Sequence, residues 1–147
     1  MKTIAPNVKY IESKSADELH IESLNWISEL KFIKDEQHFL DELLKSYTLQ
    51  LIKEPMYDTS HEVIAKLSKL RKEGKELLKK MINHENELLI LVDGIDQLKE
   101  EKMYRFLHKT FLMEVTNYFN DYKTVKKEIF ATIKQIMKTE KQKKLLT

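Results

Sequence analysis

The chain has no cysteine and only two glycines and two prolines among its 147 residues. The absence of cysteine excludes disulfides and thiolate metal sites and is typical of a reducing compartment. Glycine and proline are too few for the turns of an all-β or α/β fold. No apolar run of about 18 residues could cross a membrane, and the N-terminus lacks the apolar core of a signal peptide. We therefore expect a soluble cytoplasmic protein.

What the chain does contain is typical of long helices. Charged residues make up 34% of the sequence, and Lys, Glu, Leu and Ile dominate. The length fits one domain over residues 1–147 with a continuous core.

Apolar residues at heptad spacing predict three long helices, over about 16–53, 60–93 and 97–141. Ser15 and Glu18 form a capping box before the first helix, and Pro55 ends it. Because the connections are short, the helices should be antiparallel neighbours. The expected fold is all-α, a coiled-coil-like bundle with an irregular segment at 1–15 and a Lys-rich C-terminal tail.

Two histidines fall on these apolar stripes, His84 on the second helix and His108 on the third. If Asp93 lies beside Gln97, the two histidines face each other. If Lys53 lies beside Ser60, Glu29 of the first helix lies at the same height, and Glu85 flanks His84.

This layer has two interpretations. Buried histidines and carboxylates can satisfy each other's hydrogen bonds and set the register of a bundle. Alternatively, His84, His108, Glu29 and Glu85 hold one divalent metal ion. A dinuclear site is disfavoured because the chain has no Glu-x-x-His motif. No other cofactor is expected, and without a phosphate-binding glycine loop a non-enzymatic protein is favoured.

The third helix should extend beyond its partners, with Ile133, Ile136 and Met137 continuing its apolar stripe. We expect this end to be covered by a second copy or another protein partner. A fraying tail is the alternative.

The charges occur in blocks, and residues 123–147 carry eight lysines and two glutamates. Lysines near a helix C-terminus complement the helix dipole. Arginine, which base-reading surfaces favour, occurs only twice. Specific nucleic-acid recognition is therefore not expected, while weak binding to a polyanion or a membrane surface stays open.

The stretch from Trp26 to Glu36, together with His84-Glu85, resembles uncharacterised bacterial helical-bundle proteins. The resemblance implies the bundle fold and no activity. Two functions follow as hypotheses: a non-enzymatic bundle that associates with itself or a partner, and a bundle that binds a metal or small ligand at the His84/His108 layer.

Overall fold

The computed structural model describes residues 14–53, 55–93 and 98–146, and these residues form four helices and no strand. The helices are α1 (Ala16–Ser46), α2 (Thr48–Leu51), α3 (Tyr57–Asp93) and α4 (Leu98–Leu146). The all-α prediction is confirmed. In the described ranges, no helix has an apolar stretch long enough to span a membrane. Residues 1–13 of the expected irregular segment and the connection at 94–97 lie outside the described residues.

The core lies between the long helices, and α3 packs against both α1 and α4. Contacts between α3 and α4 pair residues in reverse order, because His84 meets His108 while Lys66 meets Glu128. The buried apolar residues recur every three or four positions, which places them on one face of each helix. They include Leu30, Ile33, Leu40, Leu67, Leu70, Met81, Val115 and Ile129.

The first helix begins where its cap predicts but ends earlier than expected. The Glu18 N–H donates to Ser15 Oγ at 3.2 Å, which caps α1. The helix was expected to continue to 53, yet it stops at Ser46. The hydroxyls of Ser46 and Thr48 each donate to a backbone carbonyl of the preceding turn, at 2.6 Å. Such bonds compete with the helical pattern, so α2 follows as a separate short helix.

Helix α3 corresponds to the second of the three expected helices. It begins three residues before its expected start at 60. The Ser60 N–H donates to the carbonyl of Met56 at 2.9 Å, and Ser60 is buried inside the helix. Pro55 stands just ahead of the helix, where its missing N–H costs nothing. The sequence pattern predicts a connection between Lys53 and Ser60. In the structure the connection between the two long helices α1 and α3 lies earlier in the chain, because α1 ends at Ser46 and α3 begins at Tyr57.

The last helix is longer than expected and reaches Leu146. Ile133 and Ile136 nevertheless do not form a free stripe, since they are only 5% and 3% exposed and belong to the same core as Leu51 and Val63. The expectation that these two isoleucines are open to a partner is wrong, because α2 and the early start of α3 extend the core further along α4. Met137 is exposed.

Gly74 permits the closest approach between α3 and α4. A Cβ built on Gly74 would overlap the Tyr118 hydroxyl and lie 2.9 Å from the Tyr118 Cζ. The hydroxyl uses this space to donate to the Leu70 carbonyl at 2.8 Å, and it accepts from Gln37 Nε2 at 3.1 Å. One glycine thus lets a tyrosine of α4 bond to both α3 and α1.

Replacing Gly74 with alanine should destabilise the protein. Alanine gains about 1 kcal/mol of helix propensity, but overpacking against Tyr118 should cost about 1–3 kcal/mol. Urea unfolding followed by circular dichroism would measure the difference. In a Tyr118→Phe background, which removes the overlapping hydroxyl, Gly74→Ala should cost less. A Gly74→Ala variant more stable than the parent chain would contradict the packing described.

Candidate site at the buried histidine layer

His84 of α3 and His108 of α4 form the most buried polar contact described in the chain. Their side chains are 1% and 0% exposed, and His84 Nε2 lies 2.8 Å from His108 Nδ1. The two histidines therefore face each other at the height that their spacing predicts. One of the facing nitrogens must donate and the other accept, since two lone pairs or two N–H groups would repel.

The second nitrogen of His108 faces a carboxylate of α1. His108 Nε2 lies 2.9 Å from Glu22 Oε1, and the Lys14 ammonium contacts the other oxygen of the same carboxylate. A polar chain therefore runs from Lys14 through Glu22 and His108 to His84. It links the start of α1 to both of the other long helices.

Aromatic rings enclose the two imidazoles. Tyr104 stacks on His84 with ring centroids 4.1 Å apart, and Phe111 meets the same ring edge-on at 4.9 Å. Trp26 stacks on His108 at 4.6 Å. These rings exclude water from the faces of both histidines, so the polar contacts lie in a medium of low dielectric.

Two proton arrangements satisfy this geometry. In the first, both rings are neutral, and His84 Nε2–H donates to His108 Nδ1. In the second, His108 carries two protons and donates to His84 and to Glu22. In both, His108 Nε2–H donates to the Glu22 carboxylate, as a histidine held by a carboxylate does. The second arrangement holds one proton more than the first, and its His84 proton lies on Nδ1; the heavy atoms are the same in both.

Burial and nearby charges shift the pKa values in this layer, downward for His84 and Glu22 and upward for Tyr104. Burial, reinforced by His108, lowers the pKa of His84 to about 3, so His84 is neutral at neutral pH. Burial alone would raise the pKa of Glu22, but hydrogen bonds from His108 and Lys14 and the positive charges there lower it overall. Burial raises the pKa of Tyr104 beside His84.

The structure brings together only part of the set predicted to hold a metal. Glu85 is buried beside His84 in the chain, and its carboxylate contacts His20 of α1. Glu29 is not at the layer; it is exposed and lies along the groove with Phe119 and Tyr122. In the three described stretches, no group of three or more His, Cys, Asp or Glu side chains is placed to hold a metal ion.

The prediction that Glu29 lies at the histidine layer is wrong because Lys53 and Ser60 do not flank a tight turn between two long helices. Instead, α1 ends at Ser46 and the short helix α2 follows. The early start of α3 moves α1 by about one turn, so Trp26 rather than Glu29 meets the histidines. Glu22, one heptad before Glu29, then supplies the carboxylate. The heptad series Glu22, Glu29 and Glu36 was visible in the sequence, but only the register chooses among its members.

Replacing His84 should change how stability depends on pH. The unfolded chain protonates this histidine near pH 6.5, whereas the folded chain does so near pH 3. The unfolded state therefore binds more protons between these values, and the free energy of unfolding falls as the pH drops through this window. The slope approaches about 1.4 kcal/mol per pH unit.

Urea unfolding between pH 7 and 5 measures the contribution of His84 to this slope. The lowered pKa of Glu22 changes the free energy of unfolding only at lower pH. His84→Leu should flatten the slope, while His61→Gln, at an exposed histidine of α3, should leave it unchanged. Equal slopes in the parent chain and His84→Leu would contradict a buried neutral His84.

No protein-family model, curated protein or solved structure matches this chain. The resemblance to uncharacterised bacterial helical-bundle proteins therefore stays a prediction.

Proposed function

We propose that this chain is a non-enzymatic cytoplasmic protein that acts by self-association as a homodimer. Its three long helices would form an antiparallel, coiled-coil-like bundle, with the histidine layer holding their register. The observation that carries the proposal is the open groove between α1 and α4. Self-association through this groove replaces the expected contact through the end of α4, where Ile133 and Ile136 are already covered.

The groove exists because α1 and α4 contact each other far less than each contacts α3. It has a volume of about 620 Å³. Phe32 and Ile33 of α1 and Phe119 of α4 supply its apolar surface, and Lys123, Lys126 and Lys127 line its α4 side. The Tyr122 hydroxyl and the Lys126 ammonium of α4 both donate to the Glu36 carboxylate of α1, at 2.6 and 2.9 Å. These two hydrogen bonds connect the two sides of the groove.

Two large aromatic side chains are exposed on α1, of which Phe32 lines this groove and Phe39 lies further along the same helix. Phe32 and Phe39 are 56% and 59% exposed and, seven residues apart, they share one face of α1. Burying a phenylalanine fully is worth about 1.5–3 kcal/mol. Exposed apolar patches of this kind mark association surfaces.

Charge complementarity favours a second copy as the occupant. Within α1, eight acidic residues outnumber three lysines, whereas residues 123–147 carry eight lysines and two glutamates. In a two-fold symmetric dimer each chain offers both surfaces, so the acidic helix of one copy can meet the basic end of the other twice. Such pairing would also bring the phenylalanines of both copies into one interface.

Light scattering tests this proposal directly. The parent chain should show twice its 17.6 kDa mass at about 100 µM, and Phe32→Ser/Phe39→Ser should raise the dimer dissociation constant at least about tenfold. The matched control is Ile64→Ser/Ile82→Ser, which removes two exposed apolar side chains from α3. A monomeric parent chain, or equal weakening by the control pair, would reject the α1/α4 groove as the interface.

A second candidate is binding of a divalent metal or a small polar ligand at the histidine layer. One observation favours it: within the described stretches, the buried Nδ1 of His84 has no hydrogen-bond partner. A buried polar atom left unpaired costs about 1–3 kcal/mol, and a ligand could remove that cost. Glu85, which follows His84 in the chain and is buried, would be the neighbouring protein ligand, because both ring nitrogens of His108 are already bonded.

The double variant His84→Leu/His108→Leu separates a structural layer from a binding site. If the layer only sets register, apolar residues should keep or raise the melting temperature, and zinc should leave both proteins unaffected. We expect this result, together with no stoichiometric metal in protein purified without an affinity tag. Stoichiometric metal, or zinc stabilisation of the parent chain alone, would establish the second candidate instead.

A further inference from the structure

We propose that the cavity between α1 and α3 at Gly74 binds a small phosphate-bearing anion. This site is distinct from the histidine layer and from the α1/α4 groove, so it stands or falls separately from the proposed self-association.

The cavity has the size of a small-molecule site. Its volume is about 630 Å³, within the range of about 300–1,000 Å³ that ligand pockets occupy. Leu30 of α1 and Leu78 of α3 supply apolar wall, and Gln37 and Tyr118 supply polar groups. A few polar groups among apolar walls are the usual composition of a ligand site.

Gly74 makes room for a polar group in the lining of this cavity. A side chain at position 74 would overlap Tyr118, so the glycine lets the tyrosine hydroxyl reach the cavity from α4. Gln37 and Tyr118 are nine-tenths buried or more, and they are hydrogen-bonded to each other. The hydroxyl donates to Leu70 and accepts from Gln37, which leaves one oxygen lone pair to accept a further bond. A protonated phosphate oxygen or a water could use it.

Positive charge surrounds the cavity and is largely unneutralised. Four cationic side chains line it, and Asp35 is the one carboxylate among its lining residues; the cations are Lys34, Arg71, Lys72 and Lys75. Arg71 lies 3.6 Å from Asp41. In the part of the chain that the structure describes, Lys34, Lys72 and Lys75 form no ion pair with any carboxylate.

A cavity lined by four cationic side chains and one carboxylate favours an anion as its ligand. Phosphate is the class of anion that fits these side chains best. Lysine binds phosphate as a point charge, and arginine can add two parallel hydrogen bonds. On α3, Lys75 lies one turn after Arg71 and Lys72, while Lys34 lines the cavity from α1. Cations on two helices can therefore contact one compact, multiply charged group, with the apolar walls left for the remainder of the molecule.

Calorimetric titration with inorganic pyrophosphate, in a phosphate-free buffer of constant ionic strength, tests the site. The full-length chain should bind one pyrophosphate per chain with a saturable heat. Lys72→Gln/Lys75→Gln should weaken binding at least about tenfold, because two charge-assisted contacts are lost. Lys31→Gln/Lys79→Gln removes the same number of charges from α1 and α3 outside the cavity and should change the dissociation constant less than about twofold.

Two results would overturn the proposal. One is the absence of saturable binding to the parent chain at millimolar pyrophosphate. The other is equal weakening by both double variants, which would show that the anion responds to overall charge and not to this cavity. Circular dichroism of each variant excludes misfolding as the cause, since all four lysines are exposed.

Discussion

The hydrogen bond between His84 and His108 is the contact on which the packing of α3 against α4 depends. Burying an imidazole without a partner costs several kcal/mol, and only one register pairs these two. Sliding α4 by one heptad would place Glu101 or Val115 opposite His84. An apolar stripe alone would tolerate such a slip, whereas a buried polar pair does not. Glu22 and Trp26 extend the same constraint to α1.

A second polar level keeps the same register. Tyr118 bonds to Leu70 of α3 and to Gln37 of α1, and it does so through the space left by Gly74. The polar groups of the core are thus used mainly in holding helices together. Surfaces suited to other molecules lie outside it, in the aromatic groove between α1 and α4 and in the cationic cavity between α1 and α3.

The sequence predicts which residues of two helices lie side by side only where the connection between those helices is short. His84 and His108 could be placed together from the sequence because α3 and α4 are joined by a few residues. The carboxylate at the layer could not, because α2 and the residues after it separate α1 from α3. A shift there brought Trp26, about one turn before Glu29, to the layer, and Glu22, about two turns before Glu29, became the carboxylate that meets His108. The same extra helix extended the core and covered Ile133 and Ile136.

The sequence by itself determined the all-α class, the cap at Ser15 and the apolar face of each helix, since these depend on composition and local spacing. Only the tertiary structure decided which glutamate meets His108 and which side chain fills the space beside Gly74. Each of these is a contact between residues far apart in the chain. Such contacts depend on the register between helices, and a repeating apolar pattern specifies register only to within a turn or a heptad.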